Sequence, residues 1–356
     1  MTDTKTKQSS ATEAEVVDAT ADAPANRSIV SRRTFIAGAS VALGAGIAAK
    51  AVWKNNEQIQ RSDVSIMKAP AYDQSLAGTI LDGLRELGVT TKTIRGRTVL
   101  LKPNLVEPSA EAPHINTHPV VVRAAIEAFR KLDASEVIVA EGQGHCRDSQ
   151  LVLEQSGFDD MVRETGVDFI DLNHDDVFEQ KNNFRASRMR SLFLPQTLRR
   201  ADIIVSMPKM KTHHWAGVTL SMKNLFGVLP GVCYGWPKNV LHHAGITESI
   251  LDINAAVQPH LAIVDGIVGM EGDGPIMGSP IHAGLLVMGS NLPAVDATTA
   301  RLMDFDPLRI PSLRRASGHL GPIHAGYITQ RGETIESLKQ TFAVLDHPIM
   351  AKYRKS

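Results

Sequence analysis

The chain has 356 residues, 43% of them apolar, enough for one large domain or two smaller ones. Its 38 Lys and Arg balance 38 Asp and Glu, which removes the electrostatic basis for nucleic-acid binding, and 5% aromatic residues leave few stacking platforms for single strands. Two cysteines, Cys146 and Cys233, exclude a disulfide scaffold, a four-cysteine zinc site and an iron–sulfur cluster held by cysteine alone; whether the two pair is left open.

Residues 1–26 are polar and without periodicity, so they bury too little apolar surface to fold. Then Arg32 and Arg33 precede a weakly apolar Gly/Ala-rich run and the small-x-small site Ala49-Lys50-Ala51. Paired arginines, a run too short to span a bilayer and a loose cleavage site read as a twin-arginine export signal over residues 1–51. The expected address is the periplasm, with the export machinery as a partner and an uncleaved membrane anchor as the alternative. Residues 55–356 are expected to form the folded body.

That body alternates apolar strands with amphipathic helices. Strands are expected at Thr98–Leu101, Glu136–Ala140, Val167–Ile170, Ile203–Val205, Leu261–Val264 and Leu285–Met288. Helices are expected over residues 119–132, Ile246–Val257 and Ala294–Met303, the first opened by Pro119. The alternation predicts one composite α/β domain, its sheet mainly parallel or mixed, with helices on both faces. The Gly/Pro/His-rich stretch 207–245 is a candidate subdomain.

Several of these strands run into polar residues: Lys102 and Asn104, Glu141 and His145, Lys209, Lys211 and His213, then Asp265 and Glu271. In open parallel sheets the carboxyl ends of strands share one edge, so these loops are expected to meet in one cleft. Lys209, Lys211 and Lys223 bring three ammonium groups near His213 and His214. They suit an anion site, to which Lys102 adds a fourth charge, or a lysine of lowered pKa acting as base or Schiff-base nucleophile; a solvated basic loop is the bland alternative.

The histidine pairs His213-His214 and His242-His243, with Asp265, Glu271 and Asp273, could ligate a divalent metal or do acid–base work. Adjacent histidines on a strand face opposite ways, so one of each pair is expected to reach a shared site. Residues 264–275 read as a glycine-dense loop allowing close approach to a ligand. Asp296 either caps its own helix or faces the cleft. Cys233 is either an activated thiol beside lysines or incidental.

Long segments of the chain resemble the prokaryotic family filed as domain of unknown function 362 (DUF362). They are LLKPNLVEP at 100–108, ADIIVSMPKMKTHHWAGVTLSMKNLFGVLPG at 201–231, LHHAGITESILDI at 241–253, IVDGIVGMEGDGPIMGSP at 263–280 and PAVDATTARLM at 293–303. The resemblance spans residues 95–325. It implies Lys102, Asn104, Lys209, Lys211, His213, Lys223, Asn224, His242, Asp265, Glu271 and Asp296 as site residues, without roles, and favours His242 over His243. Some members carry ferredoxin-like modules, which implies redox work and a redox partner; this chain lacks the cysteines, so no iron–sulfur cluster is expected in it.

The resulting expectation is an enzyme, metal-assisted or redox-linked, acting on an anionic small molecule. His213, His242, Lys209 and Asp265 would be catalytic. Lys102, Asn104, Lys211, Lys223 and Asn224 would hold the anion, and Glu271, Asp265 and His213 would hold the metal. The alternative is a non-catalytic periplasmic binding or cofactor-assembly protein.

Overall fold

The computed structural model describes residues 61–346 and Tyr353; the twin-arginine segment lies outside the described residues. All six expected strands form: β2 (Thr98–Pro103), β3 (Glu136–Glu141), β4 (Asp168–Asp171), β7 (Ile203–Met207), β10 (Leu261–Glu271) and β11 (Ser279–Gly289). Six others were not read from the sequence: β1 (Ser62–Lys68), β5 (Val177–Lys181), β6 (Ser191–Pro195), β8 (Lys209–His213), β9 (Gly217–Thr219) and β12 (Ile328–Gly332). The main sheet runs β12-β1-β11-β10-β7-β2-β3-β4, with β8 on β10 and β9 on β8, while β5 and β6 form a separate hairpin. The pairs β2·β3, β2·β7, β3·β4, β7·β10, β8·β10 and β1·β12 are parallel; β1·β11, β10·β11 and β8·β9 are antiparallel.

Both faces are covered, as continuous apolar strands require. Val99 and Leu101 pack with Leu76, Ile80 and Leu84 of one helix and with Val121, Val122 and Phe129 of the helix Pro119–Lys131. Leu100, Ile138 and Ile204 face the other way, onto the helices Ile246–Val257 and Leu292–Leu302. Strand alternation therefore turns Lys102 to the same side as Leu100. The helix Pro119–Lys131 starts where expected because Pro119 fits its first turn and His118 Nδ1 accepts the Val120 N–H at 3.2 Å.

The chain lays β2, β3 and β4 outward in order, then returns to place β7 on the other side of β2. This reversal is the switch point at which parallel sheets open a crevice.

Two expectations about residues 207–275 are corrected. The stretch 207–245 is no separate subdomain, because β8 joins the main sheet through β10. The glycine-dense segment is mostly strand, since β10 continues to Glu271. Gly266 and Gly269 admit a neighbouring strand: a Cβ on Gly266 would meet Met210 Sδ at 2.8 Å, and one on Gly269 would meet Met210 O at 2.8 Å.

Candidate functional site

A cavity of about 370 Å³ opens at the carboxyl edge of β2, β3 and β7. Lys102 and Asn104 reach it from the end of β2, Glu141 and Gly142 from β3, and Lys211 and His213 from β8. The short helix Ser221–Asn224 contributes Lys223 and Asn224, and residues 237–242 contribute Lys238 and His242. His214, Trp215, Thr219, Phe226, Asp273 and Met277 complete much of the wall.

Four lysines line this space, and their hydrogen bonds sort them. An ammonium has three N–H donors. Lys102 uses all three, on Glu141, on Asn224 Oδ1 at 3.0 Å and on Pro103 O at 3.0 Å. Lys238 also uses three, on Gly142 O at 2.9 Å, Asn173 Oδ1 at 3.2 Å and Leu229 O. Lys211 donates to Ile115 O at 2.8 Å and Pro275 O at 3.2 Å, so its charged form keeps one N–H free. Lys223 has no hydrogen-bond or ion-pair partner among the described residues; its Nζ sits 4.0 Å from the centre of the Phe226 ring.

Lys102 and Glu141 form a buried ion pair. Burial pulls the lysine down and the carboxyl up, while their mutual attraction opposes both shifts. Burial, then repulsion from Lys209, Lys223 and Lys102, pushes Lys211 well below the lysine range. Burial, with Lys102 nearby, brings Lys223 down to about 8, and burial brings Lys238 to about 7. Asn224 is a positioning residue: its Nδ2 donates to Lys102 O at 3.0 Å and Ser206 Oγ at 3.1 Å while its Oδ1 receives Lys102. Gly227 closes over the ion pair, and a Cβ there would fall on Glu141 Oε1 and Lys102 Nζ.

The histidines are sorted by the same accounting. His213 Nδ1 accepts the Trp215 N–H at 3.1 Å and the Ala216 N–H at 3.3 Å, so its proton sits on Nε2. Burial and the charge of Lys223 hold this ring far below the usual histidine range, hence neutral. His242 Nδ1 faces Lys238 O at 3.1 Å and His214 Nδ1 faces Gly274 O at 2.7 Å, so both carry the proton on Nδ1 and keep a bare Nε2. Burial, then Lys223, lowers His242 also. The cavity thus offers ring donors and ring acceptors together. Asn104 Oδ1 and Thr219 Oγ1 are buried in its wall without a hydrogen-bond partner among the described residues.

Lys209, Asp265, Glu271 and Asp296 are not in this lining. Lys209 donates to Asp265 Oδ2 at 2.5 Å, with both side chains fully buried. Tyr72 bridges the pair through contacts of 3.1 and 3.2 Å, and the His118 N–H reaches Asp265 Oδ2 at 3.0 Å. Lys209 and Lys211 are neighbours on β8 but have separate partners: Lys209 is committed to Asp265 and Tyr72, whereas Lys211 donates to Ile115 O and Pro275 O at the cavity. Glu271 Oε2 accepts the Ala343 N–H at 2.7 Å and anchors the C-terminal segment.

The expected metal set of His213, Asp265 and Glu271 is therefore not assembled. Among the described residues no group of three or more His, Cys, Asp or Glu is placed to hold a metal. Asp296 neither caps its own helix, which Asn291 does, nor faces the cavity. It accepts the Ser221 N–H at 2.8 Å, the Met222 N–H at 2.9 Å and the Ser221 hydroxyl, capping the helix that carries Lys223.

One histidine of each pair was expected at the site. His242 lines the cavity and His243 does not, but His213 and His214 both do, because β8 ends at His213 and strand alternation stops there. Cys146 and Cys233 are free, exposed and outside the cavity. Lys238 escaped the sequence reading; its only signal was the surrounding Gly/Pro density.

This is an α/β protein with a basic crevice at its switch point, and the chain belongs to the DUF362 family. A profile described as "Domain of unknown function (DUF362)" matches residues 99–301. A thylakoid-associated protein of Synechocystis sp. is 27% identical over 266 residues, covering 70% of this chain and 77% of that protein. Among solved structures, a Thermotoga maritima protein matches with a TM-score of 0.38 and 11% identity over 65% of this chain and 59% of that one. The lactate racemase apoprotein of Thermoanaerobacterium thermosaccharolyticum matches with a TM-score of 0.39 and 13% identity, over 68% and 58% respectively. The chain thus spans under two thirds of the length of the solved structures it matches.

Proposed function

We propose that the protein is an enzyme that binds an anionic small molecule in the switch-point cavity and moves a proton on it. The observation that carries this reading is Lys223, a cavity lysine with no partner among the described residues, beside neutral histidines whose tautomers are set by the backbone. A half-buried ammonium without a counter-charge is disfavoured, so an arriving carboxylate or phosphate relieves it. Lys211, when protonated beside the arriving anion, adds its third N–H, and His213 adds its Nε2–H. The bare Nε2 of His242 is the candidate base, and His213 Nε2–H the candidate acid.

The test is solvent deuterium incorporation into a panel of 2-hydroxy and 2-oxo acids, followed by NMR, beside calorimetric titration of the same acids. Exchange by the wild type and its loss in His242→Gln, with affinity within about threefold, supports the enzyme. Tight binding with no exchange on any acid turns the reading to the non-catalytic binder.

The sequence features of residues 31–51 support twin-arginine export to the periplasm, and the thylakoid association of the Synechocystis relative is in keeping with a membrane-linked route. No described helix is long and apolar enough to cross a membrane. A redox partner remains part of the proposal through the family resemblance alone.

A further inference from the structure

We propose that Lys223 is a covalent catalyst that forms an imine with the carbonyl carbon of a 2-oxo acid held in the switch-point cavity. This rests on the reading of the cavity as an anion site and names its substrate class. Of the lysines that line the cavity, Lys102, Lys211 and Lys238 are tied to protein oxygens, and Lys223 alone among the described residues has a nitrogen with no acceptor.

A nucleophilic amine must also be free to turn its lone pair onto a substrate, and donation to buried oxygens fixes the orientation of the other three nitrogens. Burial and the nearby Lys102 bring Lys223 to about 8, so about a tenth of the molecules carry the free amine at pH 7, against well under a thousandth for an ordinary lysine. The Phe226 ring 4.0 Å away keeps water from one side of the nitrogen.

The rest of the cavity suits an oxo acid. The remaining N–H of Lys211 and the Nε2–H of His213 receive the carboxylate, and exposed Trp215 at the rim leaves room for an apolar side chain. In the reaction the neutral Lys223 amine attacks the carbonyl carbon, a C–N bond forms, and the C=O pair moves to oxygen. His242 Nε2 carries one proton from nitrogen to that oxygen, giving the hydroxyl, then carries the second nitrogen proton to the hydroxyl as the nitrogen pair forms C=N and the C–O bond breaks to release water. The product is the imine plus one water, with no change of oxidation state.

The experiment incubates the full chain with glyoxylate, pyruvate, oxaloacetate or 2-oxoglutarate and traps with sodium borohydride. Intact mass and peptide mapping read the product. Parallel calorimetry with the same acids and no reductant measures binding separately. The expected result is one adduct, weighing the acid less one oxygen atom, on Lys223 at least tenfold above any other lysine. Lys223→Arg should still bind the acid within about tenfold but give no adduct there.

Binding without trapping at Lys223, or equal trapping in Lys223→Arg, overturns the imine and leaves the anion site standing. No binding and no adduct with any of these acids overturns the proposal and counts against the anion site too.

Discussion

Lys223 has a consequence in pH that a solvated lysine would lack. Its amine titrates near 8 in the free protein, surrounded by Lys102, Lys211, Lys238, Glu141, His213, His214 and His242. A bound anion stabilises the charged form, so the pKa rises on binding and a proton is taken up. Affinity for an anion is therefore greatest below about pH 8 and falls by up to tenfold per unit above it, until the pKa of the complex is reached. Calorimetry at pH 8 in buffers of different ionisation enthalpy should show this uptake in the wild type and lose it in Lys223→Met. A flat affinity from pH 7 to 10 would place Lys223 outside the binding event.

The buried pair Lys209–Asp265 behaves differently, because it is internally satisfied and away from the cavity. Removing one partner leaves a buried charge, at a cost of about 3–5 kcal/mol. Lys209→Met should lower the unfolding free energy by about that much in urea while anion affinity stays within twofold. Lys209→Met with Asp265→Leu should recover most of the loss.

At the level of elements, the helix Ser221–Asn224 is a single turn and cannot persist by itself. It is held by Asp296, which reaches across from the helix Leu292–Leu302 to its first N–H groups. Asp296→Ala should cost about 1–3 kcal/mol of stability through the unsatisfied donors and weaken anion binding by displacing Lys223. Burial raises Asp296 to about 7, above its unfolded value. Its contribution to stability is thus complete below about pH 4 and is lost as pH rises through 7. Urea unfolding between pH 4 and 8 should show this slope in the wild type and lose it in Asp296→Asn.

β8 shows how an element can hide in a sequence. Its residues Lys209–His213 read as a basic loop, yet every one is buried as a strand against β10 and β9. Polar strands are invisible to hydrophobic periodicity because their burial is balanced by hydrogen bonds and ion pairs formed only in the fold.

For the whole molecule, zero net charge conceals an uneven placement of buried charge. Buried Lys102, Lys209, Lys211 and Lys238 are matched by buried Glu141, Asp252, Asp265 and Asp296, but three of those lysines and only one of those carboxylates line the cavity. Composition averages over this, whereas the fold gathers cations at one sheet edge, where low-dielectric walls focus their field on small anions. The export proposal also belongs here. Replacing Arg32 and Arg33 with Lys should retain the full-length precursor in the cytoplasm, read by fractionation and mass spectrometry. Undiminished export of the double variant would remove the twin-arginine reading.

The apolar runs at β2, β3, β7 and β10 determined the α/β class and the shared carboxyl edge by themselves, because strand period and burial are local properties of the chain. They also pointed to Lys102, Asn104, Lys211 and His213, since these follow apolar runs, whereas Lys223 and His242, which stand in short helices, are read from the basic stretch and the family resemblance. Only the tertiary structure decided that Lys209 and Asp265 satisfy each other inside the core, that Asp296 supports a distant helix, and that Lys238 joins the site. It also decided which cavity lysine keeps a free nitrogen. Those distinctions depend on which acceptors lie within hydrogen-bonding reach, and those acceptors come from segments as far apart as Ile115, Asn224 and Pro275. No spacing along the chain encodes them.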